Sequence, residues 1–102
     1  MGWPVIITPR ARLDLQSIVE YIAKDNPAAA VRVGEALIES ALKIGNFPYM
    51  GRRVPELESE GCREVIEGVY RIVYELSTDQ KVVKILRFWH GARGTPKPRG
   101  DI

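Results

Sequence analysis

The sequence is short of the residues that announce many kinds of chemistry. It has one cysteine, Cys62, and one histidine, His90, in 102 residues. A lone cysteine excludes an internal disulfide and any cysteine-based zinc cluster, and suits a reducing compartment. One histidine and one cysteine so far apart make no metal-ligand spacing, so neither a metal nor another cofactor is expected. No apolar run approaches the roughly 20 residues of a membrane span. The opening "WPVIITP" is too short and too poor in charge for a signal peptide, which leads us to expect a cytoplasmic protein without a membrane partner. Neither sign of charge dominates: 15 basic against 13 acidic residues give +2, with a sequence pI near 8.8, only a mild lean toward nucleic acid. There is no G-x-S-x-G nucleophile context, no internal repeat and no low-complexity tract. What remains is 45% apolar and 27% charged, the balance of an ordinary folded domain. Residues 1–95 read as a single domain, and the Pro- and Gly-rich end, 96–102, as a flexible C-terminal tail.

Hydrophobic periodicity orders that domain. Trp3 to Ile7 is a short β-branched run, read as a strand. Thr8-Pro9 then forms a helix start, with Thr8 as N-cap and proline at the first helical position, where its missing N–H costs nothing. Ala11, Leu15, Ile18, Val19 and Ile22 form one apolar stripe, with Arg10, Arg12, Asp14, Gln16, Glu20 and Lys24 mostly outward. Asn26-Pro27 repeats the start signal. The second stripe is Ala30, Val33, Leu37, Ala41 and Ile44, and Gly45 marks the stop. "NFPYMGRRVPELESEG" has no periodicity and reads as a long loop that invites a functional explanation. Beyond it, "CREVI", "VYRIVYEL" and "KVVKILRFW" read as a three-stranded meander. The expected fold is α+β, β-α-α-β-β-β, with an antiparallel helix hairpin on one face of a mainly antiparallel four-stranded sheet.

Turns centred on Glu67-Gly68 and Thr78-Asp79 would set Val65 opposite Tyr70 and Arg71 opposite Leu86. Because opposed residues share a face and faces alternate, Val65, Tyr70, Ile72, Tyr74, Leu76, Val83 and Ile85, with Arg87 at the end, should pack on the helices. Glu64, Arg71, Val73, Glu75, Lys84, Leu86, Phe88 and His90 should share the other face. A solvated sheet surface is the bland reading of that second set. Apolar side chains among charges point instead to a binding surface. Arg52-Arg53 on the loop could bind phosphate or an acidic segment, and Trp3 and Trp89 are expected to pack rather than stack on bases.

The stretches "ARLDLQSIVEYI", "NPAAA", "FPYMGRRVPEL", "REVIEGVYRIVYEL" and "HGAR", in that order and spacing, resemble the RelE/ParE superfamily of toxins from type II toxin–antitoxin (plasmid stabilization) systems, over roughly residues 5 to 93. The resemblance implies a cognate antitoxin whose extended or helical segment wraps the toxin in a hetero-oligomer. It implies one of two activities: ribosome-dependent mRNA cleavage without a metal, as in RelE-like members, or binding of DNA gyrase, as in ParE-like members. RelE-like cleavage is the first expectation, gyrase inhibition the second, and an inert antitoxin-binding module the third. Carried over residue by residue, the resemblance puts Arg71, Arg93 and Arg63 on the scissile phosphate and makes His90 a candidate for the histidine of some relatives. With Glu64, which could be the base or could orient Arg71, the expected catalytic set of an endoribonuclease is Arg71, His90, Arg93 and Glu64. Arg63, Lys84, Arg87, Arg52 and Arg53 would hold RNA phosphates. Histidine titrates near pH 7 and suits proton transfer. Guanidinium groups, with pKa values above about 12, suit stabilisation of the phosphorane charge. Such a site requires Arg71 and His90 on one side of the sheet, and Arg71→Ala should then leave the melting temperature nearly unchanged.

Overall fold

In the computed structural model, which describes residues 2–98, both predicted helix starts are in place. The Ala11 N–H donates to Thr8 Oγ1 at 3.3 Å and opens α1 (Pro9–Ala23). The Ala29 N–H donates to Asn26 Oδ1 at 3.0 Å and opens α2 (Pro27–Ile44). Gly45 ends α2 as expected, but with φ of −58°, so the left-handed freedom of glycine is not the reason. A Cβ there would meet the Trp3 carbonyl oxygen at 2.4 Å. The constraint is close approach by the strand segment, whose Trp3 N–H donates to the Gly45 carbonyl at 2.7 Å.

The sheet has five strands rather than four. β1 (Val5–Ile7), β2 (Arg52–Arg53), β3 (Arg63–Glu67), β4 (Tyr70–Ser77) and β5 (Val82–His90) lie in the order β1-β5-β4-β3-β2. Only the β1–β5 pair is parallel. The extra strand lies inside the supposed loop, where two residues cannot show a period. Gly51, just before it, is dictated by packing: a Cβ would come within 2.6 Å of the Tyr74 hydroxyl and 2.7 Å of the Glu64 carbonyl. That hydroxyl accepts from the Gly51 N–H and donates to the Pro48 carbonyl, both at 2.9 Å, so a core tyrosine fixes the entry to β2.

The turns sit later than predicted. Glu67 pairs with Tyr70 across Gly68-Val69, and Ser77 pairs with Val82. Gly68 has φ of +61° and Lys81 φ of +55°, the positive values that tight hairpin connections demand. In β3–β4 the displacement moves every pairing by a whole period of two, so side chains keep their predicted faces. In β4–β5 the lower half does likewise. Between Val73 and Tyr74, however, the register breaks. Tyr74 pairs with Ile85 and Val73 with Arg87, leaving Leu86 as an extra residue in β5. A bulge of this kind reverses the facing of everything beyond it.

Two apolar clusters result. The main core, between helices and sheet, includes Ala11, Leu37, Ala41, Ile44, Ile72, Tyr74, Val83, Ile85 and Phe88. Phe88 therefore faces the helices, contrary to expectation. On the other face Val54, Cys62, Val73 and Leu86 form a smaller cluster with Leu57 against it. The chain after β2, including the 3-10 segment Pro55–Glu60, covers this cluster, so the outer face is not a bare solvated surface. At its start the expected tail is packed: Pro96 and Pro98 are buried, and the Lys97 carbonyl accepts from Arg87 Nη1 at 2.8 Å. Residues 99–102 of that tail lie outside the described residues.

One buried ion pair ties the helices to the sheet. Arg87 Nε and Nη2 donate to the Asp14 carboxylate at 2.6 and 2.9 Å, and the Phe88 N–H donates to Asp14 Oδ2 at 3.1 Å. Both side chains are buried, so Asp14, predicted to face outward, is a correction. The Arg87 fork, read from the sequence as a phosphate ligand, is occupied by Asp14 and the Lys97 carbonyl. Removing one partner of such a pair leaves an uncompensated charge. Asp14→Ala should therefore lower stability by about 3–5 kcal/mol, whereas the double change Asp14→Leu with Arg87→Met should regain much of the loss; urea unfolding of wild type and the two variants checks this. Ile72→Ala, at a fully buried position, should lower stability by about 2–5 kcal/mol through the cavity it leaves.

Candidate functional site

The side chains singled out from the sequence divide between two places. On the outer face Arg71 pairs across the strands with Ile66 and Trp89. Its guanidinium is surrounded by acceptors. Nε donates to Glu64 Oε1 at 2.6 Å, Nη2 to Glu56 Oε1 at 2.9 Å and Nη1 to Glu56 Oε2 at 3.1 Å. Nη1 also reaches the Gly94 carbonyl at 3.4 Å. Glu64, its side chain fully buried, accepts a second guanidinium: Arg52 Nε and Nη2 both lie 2.7 Å from Oε2. The cause is local. Arg52 faces Glu64 across β2–β3, and Glu56 is brought over Arg71 by the turn that covers the smaller cluster.

These contacts reshape the titration of the outer face. The Arg71 hydrogen bonds, then a backbone hydrogen bond, outweigh desolvation and lower Glu56 from 4.5 to about 2. Arg71 is raised further above its ordinary range, chiefly by Glu56 and then by Glu64, against desolvation. A cleft of about 500 Å³ opens beside this network, lined by Arg52, Glu56, Ile66, Val69 and Arg71. Its two arginines enter already matched to carboxylates. It is an apolar-rimmed hollow with its charge balanced.

His90 lies on the other side. It pairs with Tyr70 across β4–β5, and the two rings meet edge to face with centroids 5.3 Å apart. The bulge is the reason: beyond Leu86 the even-numbered residues of β5 face the helices. The Ala92 N–H donates to His90 Nδ1 at 3.0 Å, which places the hydrogen of the neutral ring on Nε2. A hollow of about 370 Å³ holds His90 with Arg10, Ser17, Tyr21, Tyr70 and Arg93. Burial raises Tyr70 above the ordinary phenol value.

The predicted catalytic set is thus split, with Arg71 and Glu64 on the outer face and His90 on the helix side. Arg93 lines the His90 hollow, its Cζ 3.9 Å from the Trp89 ring centroid. Trp89 itself is buried, donates Nε1–H to the Gly94 carbonyl at 3.1 Å and also meets Arg87 at 4.9 Å, so it packs as expected. The remaining phosphate candidates are scattered. Arg63 donates to the Gly51 carbonyl at 2.7 Å and lies over the Tyr49 ring. Lys84 pairs with Glu75 below the bulge. Arg53 is exposed on β2. Among the described residues no three His, Cys, Asp or Glu side chains gather into a cation site, and no helix is long and apolar enough to cross a membrane. The sequence reading missed Glu56, Arg10 and Tyr21. The first had no signal within an aperiodic stretch, and the other two look like ordinary exposed helix residues.

With the geometry in hand, comparison with known proteins defines the class. The family described as ParE toxin of type II toxin–antitoxin system, parDE, matches residues 5–94. The protein Toxin RelE1 of Caulobacter vibrioides is 30% identical over 92 residues, 89% of this chain and 96% of that protein. Among solved structures, the chromosomal ParDE toxin–antitoxin system from P. aeruginosa superposes with a TM-score of 0.71 at 19% identity, over 87% of this chain and 96% of that one. The RelBE2 toxin–antitoxin complex from Mycobacterium tuberculosis gives 0.66 at 26% identity, over 88% and 99%. The chain belongs to the RelE/ParE superfamily of type II toxin–antitoxin toxins.

The Arg71 network makes two predictions. Arg71→Ala removes one of two partners from the buried Glu64 carboxylate and should cost about 2–3 kcal/mol, less than the 3–5 of a fully orphaned charge. The melting temperature should therefore drop clearly in a thermal scan, reversing the expectation drawn from the sequence. Glu56, depressed when folded, stabilises the protein above its unfolded value near 4.5, and that contribution disappears as pH falls through about 2. Because Glu56 is part-exposed, the effect should stay within about 1 kcal/mol. The melting difference between wild type and Glu56→Gln should shrink steadily from pH 5 to pH 2.

Proposed function

We propose that this toxin arrests growth by binding a protein target, DNA gyrase in the ParE-like manner, rather than by cutting mRNA. One observation carries the reading: Arg71, the guanidinium that the family resemblance assigns to a scissile phosphate, is engaged by Glu56 and Glu64, while His90 lies across the sheet. Phosphoryl-transfer catalysis requires acid, base and positive charge converging within hydrogen-bond reach of the reacting atoms. No such convergence involving Arg71 and His90 exists here. A nearly neutral net charge of +2 also favours protein recognition over a polyanion, whose binding scales with the number of phosphates neutralised. The match to a ParE toxin family over residues 5–94 supports the same reading. Exposed apolar side chains at the β3–β4 tip, Ile66 and Val69, offer a protein-binding surface beside the 500 Å³ cleft. The antitoxin is the second protein partner, and its binding neutralises the toxin.

Induced expression should stop growth, with primer extension showing intact mRNA and lysates yielding gyrase-trapped DNA breaks. Purified toxin should inhibit supercoiling by gyrase. Cuts in ribosome-bound mRNA that disappear in Arg71→Ala and His90→Ala would reverse the proposal in favour of cleavage. Unimpaired growth would indicate an inert antitoxin-binding module.

A further inference from the structure

Five of the arginines around the sheet fall into two groups. Arg52, Arg71 and Arg87 each have a carboxylate oxygen within 2.6–2.9 Å. Among the described residues Arg10 and Arg93, which line the His90 hollow, have none so close. The nearest carboxylate to Arg10 is Asp14, at 4.0 Å, and Asp14 is already held by Arg87. Arg10 Nε is shielded from solvent yet has no hydrogen-bond partner among the described residues. Arg93 rests on the Trp89 ring at 3.9 Å, an attraction to its face that leaves the edge N–H groups available. Around these two forks stand the Ser17 and Tyr21 hydroxyls and the His90 imidazole, whose neutral tautomer turns an Nε2–H donor away from the Ala92 contact. Asp14 also lines the hollow, but its carboxylate already accepts from Arg87 and the Phe88 N–H, so unmatched donors outnumber unmatched acceptors in a space of about 370 Å³ walled by Ile18 and Phe88.

We infer that this helix-side hollow is a carboxylate-binding site for an acidic side chain presented by a peptide segment of the antitoxin. Who supplies the segment rests on the proposed antitoxin partnership; the chemistry of the hollow does not. Two guanidinium forks and an imidazole N–H match one planar carboxylate. The apolar walls match the aliphatic residues flanking it in a peptide. A nucleic-acid strand fits less well. It needs a run of phosphate contacts, and the rest of the lining is Asp14, held by Arg87, and the Tyr70 ring. The site is separate from the Arg71 network, on the opposite face of the sheet.

His90 is the chain's only histidine, so its imidazole resonances report the hollow directly. Isotope-labelled protein is titrated with the acetylated, amidated pentapeptide ALELA, with its isostere ALQLA, and with inorganic phosphate. The glutamate peptide should shift the His90 signals saturably in the low-millimolar range, the glutamine peptide at least tenfold more weakly. Arg10→Gln and Arg93→Gln should each weaken the glutamate peptide about tenfold, while Arg32→Gln on α2 leaves it unchanged. No shift up to about 20 mM, equal binding of the two peptides, tighter binding of phosphate than of ALELA, or indifference to both arginine changes would each overturn the inference. Growth arrest and gyrase inhibition are measured separately, so failure here and failure of the proposed function are distinguishable.

Discussion

A single extra residue in β5 decides what this surface can do. Leu86 has no partner of its own in β4, and it sits where two packing demands meet. Leu86 itself belongs with Val73 and Val54 in the outer cluster, while Phe88, two positions on, belongs in the main core. Strict alternation would put both on one side. The bulge satisfies both and lets Arg87 between them reach Asp14 on α1. Burial of a leucine and a phenylalanine on opposite faces contributes several kcal/mol in total, ample compensation for one broken ladder position. As a result Arg71 and His90, which regular pairing would unite, are separated by the thickness of the sheet.

Much of the architecture was legible because its signals are local. Thr8-Pro9 and Asn26-Pro27 combine a side-chain cap with a preset φ, and the stripes that follow repeat at helical spacing. Strand facing up to Ile85 was also readable, because a two-residue turn displacement preserves parity. The bulge was not. "KILRFWH" is apolar on both faces, so alternation carries no information there, and the cause lies in a cluster contributed by distant residues 54, 62 and 73. Asp14 was legible in principle: it stands three residues after Ala11 and four before Ile18, inside the apolar stripe, and a carboxylate there needs a buried cation. Glu56 was not, since its role depends on how an aperiodic segment folds across the sheet.

Charge is distributed by pairing more than by patch. The near balance of acids and bases reflects carboxylates placed against guanidinium groups: Glu64 between Arg52 and Arg71, Glu56 over Arg71, Asp14 under Arg87. Pairs of this kind, partly or wholly removed from water, hold register and loop position better than they raise net stability. They also quiet the electrostatic field of the outer face. Superfamily membership fixes the scaffold, and within it these pairings set the charge of each face.

The packed C-terminal segment supplies acceptors to side chains of the sheet. The Gly94 carbonyl accepts from both Trp89 and Arg71, and the Lys97 carbonyl from Arg87. Peeling that segment away would strip acceptors from three donors that also serve the loop, the sheet and the helix hairpin. Detachment is therefore coupled through shared guanidinium groups to the whole outer layer, which should fray as one cooperative unit rather than strand by strand.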